Sequence, residues 1–310
     1  MKFLRQNSNK KISNINLFCR NKGFSLIEIS VVFLVIGILI VGISRGVDLY
    51  ADFKIQTAQK LTINSPVSRI DDLVLWLETT SEKSFQTKMI NNSSVPQWNN
   101  ISPFDLNIKN AYSYSSNPQP LYLENSINGL PAVQFKKSSL NCMQVESGFD
   151  KNTENITIFT VLVAKSVNTY GRILNKWEDI NTPYPYALRQ SFQFVAYAGP
   201  PSGSSPSTVI LGGNGSGKVD FPYVIVGRRI KSGNLSIWTN GVKGVESLDN
   251  TTNSTTNNSP LYIACQGSSS SAGSYGDFNV GEIIIYSRAL SNIEISRVSQ
   301  YLSQKWNIKF

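Results

Sequence analysis

Residues 24–43, "FSLIEISVVFLVIGILIVGI", form an apolar run carrying one charge, Glu28. Twenty helical residues rise about 30 Å, the thickness of a bilayer's hydrocarbon core, so the run predicts a membrane-spanning helix. A carboxylate within hydrocarbon is costly and calls for a partner or a function. A secretory signal peptide would have a shorter apolar core and a small-residue cleavage site, and neither follows Ile43. Instead the pattern continues amphipathically as "SRGVDLYADFKIQTAQKLTI", with no proline before Pro66. This predicts one helix from Phe24 to about Ile63 whose second half leaves the membrane.

Charge distribution orients that helix. The 310-residue chain has 29 basic and 20 acidic residues, a net charge of +9. Six of the basic residues and none of the acids lie in residues 1–23, which leaves 23 basic residues against 20 acids beyond them. The basicity is mostly a leader, which argues against nucleic-acid binding. By the positive-inside rule the leader stays in the cytoplasm and the rest of the chain is exported.

The stretch "KGFSLIE" (22–28) resembles the class III signal of type IV pilins and pseudopilins, in which a basic leader and Gly precede Phe at the start of an apolar helix. The resemblance implies cleavage by prepilin peptidase between Gly23 and Phe24, followed by methylation of the Phe24 amine. It also implies that Glu28 meets the N-terminal amine of a neighbouring subunit during assembly, where an ammonium would neutralise the carboxylate in a low-dielectric bundle. Two features depart from the family pattern: the leader is longer than most, and no proline interrupts the helix near its middle.

Beyond Pro66 the sequence changes character. Short β-type runs recur between Gly, Pro, Asn and Ser clusters, among them "LVLWLE" (73–78), "NITIFTVLVAK" (155–165), "FQFVAY" (192–197), "YVIVGRR" (223–229) and "GEIIIYSRAL" (281–290). This density predicts an antiparallel sandwich. Asn240-Gly241 between "LSIWT" and "VKGV" predicts a tight hairpin. Only "LSNIEISRVSQYLSQKW" (290–306) returns to helical spacing, with Ser291 as N-cap and Glu294 three residues on. The runs resemble, in order, those of concanavalin A-like, laminin G-like jelly-roll domains: "LVLWL", "VPQWNN", "INGLPAVQF", "LSIWTNGVK", "PLYIAC" and the closing strand–Arg-Ala-Leu-Ser–helix segment. The resemblance covers about residues 70–310, diffusely between 170 and 220. It implies a two-sheet sandwich of a kind often used to bind carbohydrate or protein, without fixing the ligand.

Chemical motifs are few. "GGNGSGKV" (212–219) matches the spacing of a phosphate-binding loop, but Val219 stands where Ser or Thr must reach magnesium. The chain has no histidine, which excludes histidine-based triads and removes the commonest zinc ligand. No strand carries paired carboxylates; Glu78 and Glu82 straddle a turn-like "TTS", and Glu282 stands alone. Acidic residues are too sparse to predict a calcium site, and Asp249 and Asp277 read as surface turn residues. An aromatic-rich stretch containing Tyr170, Trp177, Tyr184 and Tyr186 reads either as a sugar-stacking platform or as core and loop packing. Of the three cysteines, Cys19 lies in the leader, leaving Cys142 and Cys265 as a bridge or as two buried thiols.

The sequence therefore predicts a leader (1–23), a membrane and filament helix (24–65) and an exported β-sandwich with a C-terminal helix (66–310). The expected role is a minor pilin or pseudopilin in a type IV pilus or type II secretion filament, anchored first in the bacterial inner membrane. It needs neither cofactor nor metal, and its partners are other pilin subunits, prepilin peptidase and a glycan or extracellular protein. The alternatives are a purely structural subunit and, less favoured, a tethered hydrolase, which needs two close carboxylates in a groove.

Overall fold

The computed structural model describes residues 23–104, 109–114, 117–148, 154–166, 170–177, 184–197, 207–210, 217–249, 254, 256–267 and 274–310. The leader up to Lys22, Cys19 included, most of the glycine-rich 212–219 segment and the "TP" of 182–183 lie outside these residues. The chain forms two compact units, residues 1–50 and 51–310.

Helix α1 spans Leu26–Ile63. In the first unit every described side chain from Gly23 to Tyr50 is exposed, although most are apolar. The helix is long and apolar enough to cross a membrane, with a mean hydropathy of 2.9 over an 18-residue window. Apolar side chains all around a helix have no soluble partner to cover them, which is the pattern of a lipid-facing segment.

The second unit is a β-sandwich. Its first sheet runs Val242–Lys243, Asn234–Thr239, Pro222–Arg229, Ile156–Ala164, Phe278–Tyr286, Leu130–Phe135, Leu121–Ile127. Strand Leu73–Glu78 continues the edge of Phe278–Tyr286 beyond Leu130–Phe135, pairing Trp76 with Ile284 and Glu78 with Glu282. The second sheet runs Ser207–Ile210, Gln193–Tyr197, Tyr184–Arg189, Arg172–Asn175, Leu261–Ile263, Met143–Val145, Ala111–Ser113, Gln97–Trp98. Every pairing is antiparallel in both sheets among the described residues.

Strands Ile156–Ala164 and Phe278–Tyr286 are buried at all nine positions each. Alternate residues explain why. Ile158, Leu162, Ile283 and Ile285 enter the core between the sheets. Phe159, Val161, Ile284 and Tyr286 face outward, where helix α2, Asn292–Trp306, covers them with Ile295, Val298, Leu302 and Trp306. A strand covered on both faces reads as a continuous apolar run, which is how "ITIFTVLVA" and "EIIIY" look. Helix α2 starts at Ser291 in a capping box with Glu294 and stops at Asn307, whose φ of 49° is left-handed. The Asn240-Gly241 turn links paired residues Thr239 and Val242 with φ of 46° and 74°, the left-handed pair of a tight hairpin. The expected fold class, a long N-terminal helix, then an all-β sandwich, then a short C-terminal helix, is the one observed.

Candidate functional site

The residues expected to be processed lie just ahead of α1. Gly23 and Phe24 are exposed ahead of the first helical turn. Glu28 reaches back along the helix, and its Oε2 accepts from the Ser25 backbone N–H at 2.8 Å. An acid in a first turn satisfies an orphan donor and suits the positive end of the helix dipole. The carboxylate is thereby held one residue from the Phe24 nitrogen, the atom that cleavage after Gly23 would free.

A carboxylate pair exists, but it is not the one the spacing of Glu78 and Glu82 offered. Glu82 is exposed beside a cleft of about 590 Å3 that is also lined by Gln59, Thr62, Trp76, Ile101 and Pro103. Glu78 instead meets Glu282 across the strand pairing, on the outer face of the first sheet beneath α2. Lys305 of α2 reaches between them, with Nζ 2.8 Å from Glu78 Oε2 and 2.9 Å from Glu282 Oε2, all three side chains fully buried. The remaining lone pairs are taken. Glu282 accepts from the indoles of Trp76 and Trp306 and from the Tyr301 hydroxyl, each at 2.8 Å. Glu78 accepts from the backbone N–H groups of Thr80 and Ser81 and from the hydroxyls of Thr80 and Ser84, because the "TTS" turn folds back over it.

The electrostatics follow from that geometry. Burial pushes the Glu78 carboxyl up, but the Lys305 ammonium and the turn's hydrogen bonds outweigh it and hold the group below the ordinary carboxylate range. Burial pushes Lys305 down, and the charges of Glu282 and Glu78 more than reverse this. Tyr301 is raised well above its ordinary value by burial and by both glutamates. The cluster has no room for a substrate, no open carboxylate and an ammonium at its centre. It ties Leu73–Glu78, Phe278–Tyr286 and α2 together.

Of the aromatic stretch, Tyr170 is 67% exposed, whereas Trp177, Tyr184 and Tyr186 are buried. Tyr186 sits in the core between the sheets. Trp177 and Tyr184 stack at 4.6 Å on the opposite, outer face of the second sheet. The stretch therefore divides between core and surface, with Tyr170 its exposed member. Cys142 and Cys265 are joined by a disulfide with Cα atoms 5.5 Å apart, in a small cluster with Tyr262 and Tyr275. Sequence reasoning missed Lys305 and the arginines Arg172 and Arg189. A signal existed: Glu282 in an otherwise apolar strand, and Lys305 beside Trp306 on the buried face of α2, each demand a counter-charge.

Known proteins resemble this chain in two separate ways. A family model described as the prokaryotic N-terminal methylation motif matches residues 19–44. No curated protein matches the sequence. Among solved structures the chain is similar to the binding domain of Paraclostridial Mosquitocidal Protein 1, at 13% identity and a TM-score of 0.51, covering 74% of this chain and 52% of that one. It is also similar to the botulinum neurotoxin serotype D binding domain, at 12% identity and a TM-score of 0.50, covering 74% and 52%. The chain spans about half the length of these structures, and at such identities the likeness is one of fold. The chain thus joins a type IV pilin-like N-terminus, marked by the N-terminal methylation motif, to a β-sandwich.

Proposed function

We propose that this protein is a minor pilin or pseudopilin whose exported sandwich serves adhesion or ligand binding at a type IV pilus or type II secretion filament. The observation that carries the reading is the methylation motif at residues 19–44, placed directly at the start of a membrane-length helix that leads into a β-sandwich. In this reading residues 1–23 are removed by prepilin peptidase, Phe24 is methylated, residues 24–65 pack in membrane and then filament, and residues 66–310 are the exported head. The 287 residues that follow Gly23, 310 less 23, are already many for a densely packed major subunit, which favours a minor or tip position. The closed, fully hydrogen-bonded Glu78–Lys305–Glu282 cluster supports a binding head over a hydrolytic one. Mass spectrometry of the membrane-extracted protein tests the reading: a methylated Phe24 at the N-terminus is expected. A chain still beginning at Met1, in cells whose other pilins are processed, would overturn it.

A further inference from the structure

The outer face of the second sheet holds two arginines that meet no acid among the described residues. Arg172 and Arg189 are direct cross-strand partners. Their neighbours Ile173 and Leu188 point into the core, so both arginines lie on the outer face. Arg172 is only 4% exposed. It donates from Nη1 to the carbonyl of Tyr170 at 3.0 Å and lies over the ring of Trp177, whose centroid is 4.9 Å from the guanidinium carbon. Arg189 is half-buried and donates from Nη1 to Gln193 Oε1 at 3.0 Å. The Nε of each arginine is buried and makes no hydrogen bond. Burial and the adjacent Arg189 charge together bring the Arg172 guanidinium down to about 10.

Two other buried cations are treated differently. Lys305 has two carboxylates, and Arg229 has Asp249 at 2.8 Å with both side chains fully buried. A buried charge next to a like charge, without a counter-ion, is destabilising and points to a ligand that completes it. Guanidinium forks match carboxylate and sulfate oxygens. Beside them the Trp177–Tyr184 stack fixes one wall, and the exposed Tyr170 ring offers a face to sugar C–H groups.

We propose that this face is a subsite for acidic saccharides, Arg189 and Arg172 taking the carboxylate or sulfate and Tyr170 an adjoining ring. The inference rests on reading the sandwich as a binding head and names the class of ligand. Arg189 is the group an incoming anion meets first, and Arg172 behind it gains the counter-charge it lacks.

The full chain in detergent micelles, titrated by calorimetry, tests this. The probes are trigalacturonate against its methyl ester, 3′-sialyllactose against lactose, a sulfated heparin tetrasaccharide, and inorganic sulfate. At least one acidic saccharide should bind tenfold or more tightly than its neutral counterpart and than sulfate, and the carboxylate and sulfate arms tell the two anions apart. Arg189→Gln should remove that preference. Arg172→Gln should remove it too while leaving the thermal midpoint unchanged or higher, since it deletes an unpaired buried charge. A lowered midpoint would make Arg172 structural and overturn its role. The site also falls if no acidic probe is preferred, if Arg189→Gln keeps the preference, or if inorganic sulfate binds as well as the saccharides. Tight binding of neutral sugars alone would sink the anion site and leave the binding head standing.

Discussion

Lys305 sits between two buried carboxylates, so replacing it with Met leaves Glu78 and Glu282 uncompensated under α2. Such a loss costs roughly 3–5 kcal/mol at neutral pH, measurable as a drop in the urea midpoint. Its pH dependence carries a sign. In the wild type Glu78 is held below its ordinary value and Glu294, bonded to Arg288 and the Ser291 cap, is held at about 2. Stability from both is present above about pH 4.5 and fades as acid protonates them, down to about pH 2 for Glu294. In Lys305→Met, burial without a counter-ion raises the Glu78 carboxyl instead, so the deficit against wild type should shrink on acidification. A deficit constant from pH 7 to 4 would show that the ammonium is not what keeps Glu78 charged. Glu28 is a different case: Glu28→Ala should leave cleavage and insertion intact and lower incorporation into filaments, and equal incorporation would deny it an assembly role. The two glutamates also differ in how far the sequence reveals them. Glu28 is legible because its position in a motif carries the meaning. Glu282 is not, because its partners lie 206 residues away at Trp76 and 23 away at Lys305, and no local pattern links them.

Among the elements, the strand Phe278–Tyr286 shows how a single small residue shapes packing. The register against Ile156–Ala164 shifts between Val280 and Glu282, at Gly281. A Cβ built on Gly281 would lie 2.3 Å from Cη2 of Trp306. Gly281→Ala should therefore push the indole of Trp306 off the sheet and away from Glu282, costing about 1–3 kcal/mol as an overpacked site. An unchanged thermal midpoint would mean that α2 slides freely over the sheet. Periodicity located the elements best where packing is two-sided or strictly alternating. "LVLWLE" became Leu73–Glu78 and "NITIFTVLVAK" became Ile156–Ala164. The strand Arg172–Asn175 escaped because it is short and its burial comes from the sheet around it rather than from its own pattern. Helix α2 was readable because its N-cap, capping box and apolar stripe agree.

At the scale of the molecule, the Cys142–Cys265 bridge closes a loop of 123 residues within the sandwich. Chain-entropy reasoning for so long a loop gives about 4–5 kcal/mol, often less in practice. Thiol labelling of the denatured, non-reduced protein after removal of the leader should find no free cysteine, and two labelled thiols would show the bridge unformed. Whether two strands bring their cysteines together was not legible, since it depends on a sheet order in which Leu261–Ile263 lies between Met143–Val145 and Arg172–Asn175. That same late arrival of central strands has a consequence in time. Phe278–Tyr286 is the strand against which Leu73–Glu78, Leu130–Phe135 and Ile156–Ala164 all align, yet a ribosome makes it last of the four. Until it emerges, the earlier three have no common neighbour, and the contacts they await span up to about two hundred residues of sequence. A sandwich wired in this order cannot complete its first sheet until that strand is made, so most of its chain exists before its core can close.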